Sequence, residues 1–100
     1  MDAAFEYIIQ NGLCSNNSYP YTANQNMCVK DQCKSLVSIS NYSNIERNNE
    51  KLLERALIYQ PISIAIQANK RSFQFYKSGV YSDLDCGTEL DHGVLLVGFG

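Results

Sequence analysis

Apolar and polar positions alternate with two different periods along this chain, and the switches between them mark its elements. Ala4, Phe5, Ile8 and Ile9 recur at helical spacing behind Asp2, a residue able to cap a helix, and Asn11-Gly12 supplies a left-handed stop. The spacing predicts a helix from about Asp2 to Asn11. From Leu13 to about Gln32 the residues are polar and turn-forming around Tyr19-Pro20-Tyr21, as in a long loop that needs crosslinks to be ordered. Val37 to Tyr42 alternates like a short strand. Asn48 or Asn49 then caps a second helix with a stripe of Leu52, Leu53, Ala56 and Leu57, which Gln60-Pro61 ends.

Period 2 follows. Ile62, Ile64 and Ile66 point one way from a strand, and Ser63, Ala65 and Gln67 point the other. Small side chains on that second face suit a groove floor or close packing against another segment, and Ala65 stands at its centre. Lys70 to Lys77 carries Phe73, Phe75 and Tyr76, as in a core-anchoring turn of helix. Ser78-Gly79 turns the chain into a short strand at Val80-Tyr81. A polar loop holding Cys86 leads to His92, the only histidine. It sits at the mouth of the apolar run Val94 to Phe99, which reads as a strand covered on both faces with the histidine buried or half buried. On its own, such a histidine is more often structural than catalytic. The pattern as a whole is α+β, helix mixed with antiparallel strand.

Composition narrows the function classes. Hydrophobic residues make up 45% of the 100 positions, as in a folded domain, and the formal net charge is −2. With eight Lys and Arg against ten Asp and Glu there is no basic stripe for nucleic acid. No apolar run approaches the roughly 20 residues of a membrane span, and the N-terminus lacks the pattern of a signal peptide. Cys14, Cys28, Cys33 and Cys86 are an even set without paired Cys-x-x-Cys knuckles, which favours an oxidising compartment. The four residues between Cys28 and Cys33 leave a zinc site open as an alternative. Two sequons, Asn16-Asn17-Ser18 and Asn41-Tyr42-Ser43, agree with secretory transit but arise often by chance.

Several stretches taken in order carry a resemblance. They are the helix beginning Met1-Asp2-Ala3-Ala4-Phe5, then Tyr19-Pro20-Tyr21, Gln60-Pro61-Ile62-Ser63-Ile64-Ala65-Ile66, Phe73-Gln74-Phe75-Tyr76, Ser78-Gly79-Val80-Tyr81, Cys86-Gly87 and Leu90-Asp91-His92-Gly93. In order and spacing they resemble the papain-like cysteine proteases, nearest in pattern to the cathepsin L type. The resemblance implies a two-lobed fold of which this chain is an incomplete part. Residues 1 to 32 would belong mainly to the helical lobe and residues 33 to 100 mainly to the antiparallel barrel lobe. The nucleophilic cysteine and the oxyanion glutamine of the family would lie upstream of Met1, and the histidine-orienting asparagine downstream of Gly100.

The resemblance also assigns roles. His92 would be the catalytic acid and base. Met1, Ala65 and Leu90 would line the pocket for the side chain two positions before the cleaved bond, with a preference for Leu, Phe or Val and against Arg. Cys28 and Cys86 resemble structural cysteines whose partners lie outside the chain. Cys14 and Cys33 resemble the extra bridge of the falcipain-like proteases of apicomplexan parasites and are expected to pair.

The implied function is that of a cysteine endopeptidase that uses a thiolate and imidazolium pair and needs no metal or cofactor. It would be a monomer working on proteins or peptides, held by a propeptide or cystatin-like inhibitor, in a lysosome-like or food-vacuole compartment or outside the cell. The alternative is a papain-like homologue that has lost its nucleophile and binds or builds instead, as silicateins do. The isolated chain is expected to be inactive and poorly stable, since it leaves a sheet edge open.

Overall fold

The computed structural model describes all 100 residues, which divide into two compact units, Met1–Asn44 and Ile45–Gly100.

The first unit is built on α1, Asp2–Asn11. Its cap differs from the sequence expectation. Met1 occupies the N-cap position without a side-chain bond, and its carbonyl accepts from the N–H groups of Ala4 and Phe5 at 2.9 and 3.2 Å. Asp2 is instead the first helical residue, where its negative charge suits the positive end of the helix dipole. At the other end Gly12 has φ +71° and donates its N–H to Ile8 at 2.8 Å. A side chain there would be strained by that φ and would overlap Ser35 besides.

The chain then crosses to Val37. Leu13 and Val37 exchange backbone hydrogen bonds of 2.7 and 3.2 Å. Beside this bridge Cys14 and Cys33 form a disulfide with Cα atoms 6.1 Å apart, which closes the long loop. A single 3-10 turn, Lys30–Gln32, precedes Cys33. The expected strand from Val37 to Tyr42 is reduced to that one bridge, because no second strand runs beside residues 38 to 42 to take up their hydrogen bonds. Tyr42 ends the segment by stacking on Phe5 at 5.4 Å and donating its hydroxyl to Glu6 at 3.2 Å.

In the second unit α2 spans Glu50–Leu57. Asn49 caps it, its side-chain oxygen accepting from the Leu52 N–H at 3.1 Å. Leu53 and Ala56 are half-buried and Leu57 is buried at 9% exposure, a stripe at spacing i, i+3, i+4; Leu52 lies outside it. β1, Ile62–Ile66, pairs antiparallel with β2, His92–Leu96. Facing pairs are Ile62 with Leu96, Ile64 with Val94, and Ile66 with His92 in one row, and Ser63 with Leu95 and Ala65 with Gly93 in the other.

Between the strands lies α3, the single turn Arg71–Gln74. Val80 and Tyr81 form no strand. Tyr81 serves as a packing centre, edge-on to Phe73 at 5.5 Å and to Tyr76 at 6.1 Å, with its hydroxyl 2.8 Å from that of Ser72.

β2 begins two residues earlier than the apolar run suggested and ends at Leu96. It is not covered on both faces, since Leu95 and Val97 are 58% and 74% exposed.

Candidate active site

His92 is the first residue of β2, opposite Ile66, the last residue of β1. It is exposed, where the sequence suggested burial, because nothing in the chain covers the mouth of β2. Its backbone is nonetheless tightly placed. The preceding Asp91 donates its N–H to the carbonyl of Ile66 at 3.0 Å, and its carboxylate accepts the N–H of Ala68 at 2.6 Å. Asp91 is therefore engaged with backbone, and a carboxylate so occupied fixes the strand entry on which His92 stands.

A second tie lies one step back. Gln67 follows β1 and is the one buried polar residue of the chain, at 6% exposure. Its side-chain oxygen accepts the N–H of Glu89 at 2.8 Å and its side-chain nitrogen donates to Asn69 at 2.8 Å. Gly87 approaches so closely, with φ +79°, that a Cβ there would overlap the Gln67 carboxamide. The alternation of β1 placed Gln67 beside Ser63 and Ala65 and gave no sign of these bonds. The only signal in the sequence was a long polar side chain closing a strand of isoleucines.

Of the residues assigned to the substrate pocket, Ala65 and Leu90 lie in the second unit and Met1 in the first. Ala65 faces Gly93, so the pair next to His92 on the other face of the sheet is made of two small residues and leaves space there. Leu90 is exposed in the segment between Glu89 and Asp91, and Met1 is exposed at the head of α1.

Cys28 and Cys86 carry no disulfide within the chain, and both are exposed. No three of the His, Cys, Asp and Glu side chains converge as a metal cage would require. A surface depression in the first unit is lined by Cys14, Tyr19, Tyr21, Asn24 and their loop neighbours and by none of the residues assigned to catalysis.

Two titratable groups depart from their ordinary behaviour. The Ser72 hydroxyl first, then the Asp85 N–H at 2.8 Å and the Tyr81 hydroxyl, hold the Asp83 carboxyl below the usual carboxylate range. Loss of water around the ring, and then the hydrogen bond and charge of Glu6, raise the Tyr42 phenol.

The same architecture recurs in solved thiol proteases. A Carica candamarcensis cysteine protease in complex with E-64 matches 99% of this chain and 46% of its own, with a TM-score of 0.92 and 35% identity. The Amb a 11 cysteine protease of ragweed pollen, solved in its proform, matches 100% of this chain and 30% of its own, with a TM-score of 0.92 and 39% identity. The fold is thus the papain-like α+β fold, of which these residues are a part.

The description of the papain family cysteine proteases matches residues 1–100, and the chain belongs to that family. Among curated relatives, the probable cysteine protease RD21B of Arabidopsis thaliana is 48% identical over 102 residues, which cover all of this chain and 22% of that protein. The chain spans under a third of the length of the curated relatives it matches. These relatives come from plants and lend no support to the apicomplexan subgroup that the Cys14 and Cys33 bridge suggested.

Proposed function

We propose that these residues belong to a cysteine endopeptidase in which His92 is the general acid and base. In this reading a cysteine thiolate supplied from outside Met1–Gly100 attacks the peptide carbonyl. The His92 imidazolium, which pairs with the thiolate at rest, then gives its proton to the leaving amine. The observation that carries the reading is the doubly tied strand entry: Asp91 binds both Ile66 and Ala68, so the imidazole stands on a fixed backbone.

None of the four cysteines here is assigned as the nucleophile. Cys14 and Cys33 are joined, and we assign Cys28 and Cys86 to bridges with cysteines elsewhere in the protein. Met1, Ala65 and Leu90 form the pocket for the side chain before the scissile residue, as the cathepsin L type does. The open row at Ala65 and Gly93 and the apolar character of all three favour Leu, Phe or Val. We place the division between helical and barrel lobes near Gln32; the Cys14–Cys33 bond and the Leu13–Val37 bridge tie the segments on its two sides.

Related structures were solved with E-64 and as a proform, and by analogy a propeptide or cystatin-like inhibitor holds this protein. The protein is proposed to act as a monomer in an acidic lysosome-like or food-vacuole compartment, or outside the cell. The bridge alone speaks for the falcipain-like subgroup, and the plant relatives speak against it.

The test is hydrolysis of fluorogenic peptides by the full-length protein with the second residue before the cleaved bond varied. Leu, Phe and Val are expected to exceed Arg. A preference for Arg would remove Met1, Ala65 and Leu90 from the pocket, and no hydrolysis of any peptide by folded protein would favour the binding or structural alternative.

A further inference from the structure

The segment Gly87–Asp91 is the loop that delivers His92 to β2, yet it contains neither helix nor strand and must be held from outside. Two groups hold it. Asp91 bonds to the end of β1, as described above. Gln67 acts two residues earlier, at Glu89, and stands at 6% exposure, the one buried polar residue in a chain whose other polar side chains are half-buried or exposed.

A buried carboxamide must have its donors and acceptor satisfied, or it destabilises the site it occupies. Here the acceptor is met by the N–H of Glu89 and one donor by Asn69. The bond to Glu89 falls immediately before Leu90, and the bond from Asp91 immediately after it. Leu90 is thus pinned at both neighbours. Gly87 is the remaining contact, since only a glycine can take φ +79° with its backbone laid against the Gln67 carboxamide.

We propose that Gln67 is a positioning residue of the site, its carboxamide clamping Gly87–Asp91 onto the end of β1 and so setting where Leu90 and His92 stand. It touches neither substrate nor reacting atoms. It acts through the backbone of Glu89, and its effect therefore reaches the pocket residue Leu90 and the base His92 together. The clamp's role in turnover rests on the peptidase reading above; its role in holding the loop does not.

The experiment replaces Gln67 in the full-length enzyme, with active sites counted by titration with a thiol-directed epoxide so that misfolded protein does not enter the rates. Gln67→Met keeps the side-chain length and removes the acceptor. It is expected to lower kcat/KM about tenfold and to change the ratio of rates for Leu and Phe before the scissile residue. Gln67→Glu keeps an acceptor for Glu89 but places a carboxylate at a 6% exposed position, so the Glu89 amide is expected to stay protected from exchange even where turnover falls.

Wild-type kcat/KM and selectivity in Gln67→Met would overturn the proposal. Gly87→Ala is the second variant, displacing the carboxamide without removing a hydrogen-bonding group, and is expected to act in the same direction. Amide hydrogen exchange at Glu89 reads the clamp without catalysis. Faster exchange in Gln67→Met supports it and unchanged exchange overturns it, whereas absence of hydrolysis in the wild type overturns the peptidase reading instead.

Discussion

His92 carries the largest consequence at the scale of a single residue. If it is the acid and base, His92→Ala in the full-length protein lowers kcat/KM by about 10²–10⁴-fold, with the thermal midpoint little changed. An equal loss of stability and activity would point to a structural histidine. Gly12 shows the opposite case, a residue with no chemistry and strict geometry. Gly12→Ala is expected to destabilise the protein by about 1–3 kcal/mol, read by denaturant unfolding, since the φ of +71° and the approach of Ser35 both refuse a side chain. His92 was singled out in the sequence only through its neighbours in the order of motifs. Gln67 was not, because its partner Glu89 lies 22 positions away and no local pattern reports a bond of that span.

At the scale of elements, the legible parts were those whose causes are local. The extent of α1, though not its N-cap, and the Asn49 cap of α2 follow from residues within four positions of each boundary. The alternation in β1 likewise needs only period 2. Val37 to Tyr42 and Val80-Tyr81 failed as strands for a non-local reason, since alternation describes a face and does not supply a neighbouring strand.

The same distinction governs two predictions. Asn49→Ala removes a cap with a single identified partner and should cost about 1 kcal/mol in thermal or chemical unfolding. Asp83 has a folded-state pKa below its unfolded value, so its contribution is present above the ordinary aspartate range and is lost as pH falls through the lowered value. Tyrosine fluorescence from the Tyr76 and Tyr81 cluster should therefore change in acid before α2 unfolds, and Asp83→Asn should abolish that early change. Tyr42 is the mirror image: its raised pKa means that its contribution holds below the ordinary tyrosine range and fades as pH rises through the raised value.

At the scale of the whole molecule, the exposure of Leu95, Val97 and Phe99 on and after β2 agrees with a part of a larger fold, as the share of the related proteins that the chain spans also indicates. The sequence suggested a strand covered on both faces because its residues are apolar on both. That reading describes where they are meant to reside and not what covers them here. The Cys14–Cys33 bond, across a sequence separation of 19, is expected to stabilise by about 2–4 kcal/mol, and Cys14→Ser with Cys33→Ser should lower the unfolding midpoint accordingly.

The central claim, that this chain supplies the histidine of a thiol protease, is tested most directly by treating the full-length protein with a thiol-directed epoxide and mapping the adduct. The account predicts one adduct, on a cysteine outside Met1–Gly100, whose formation slows sharply in His92→Ala. A folded protein that takes no label, or one labelled at Cys28 or Cys86 regardless of His92, would contradict it.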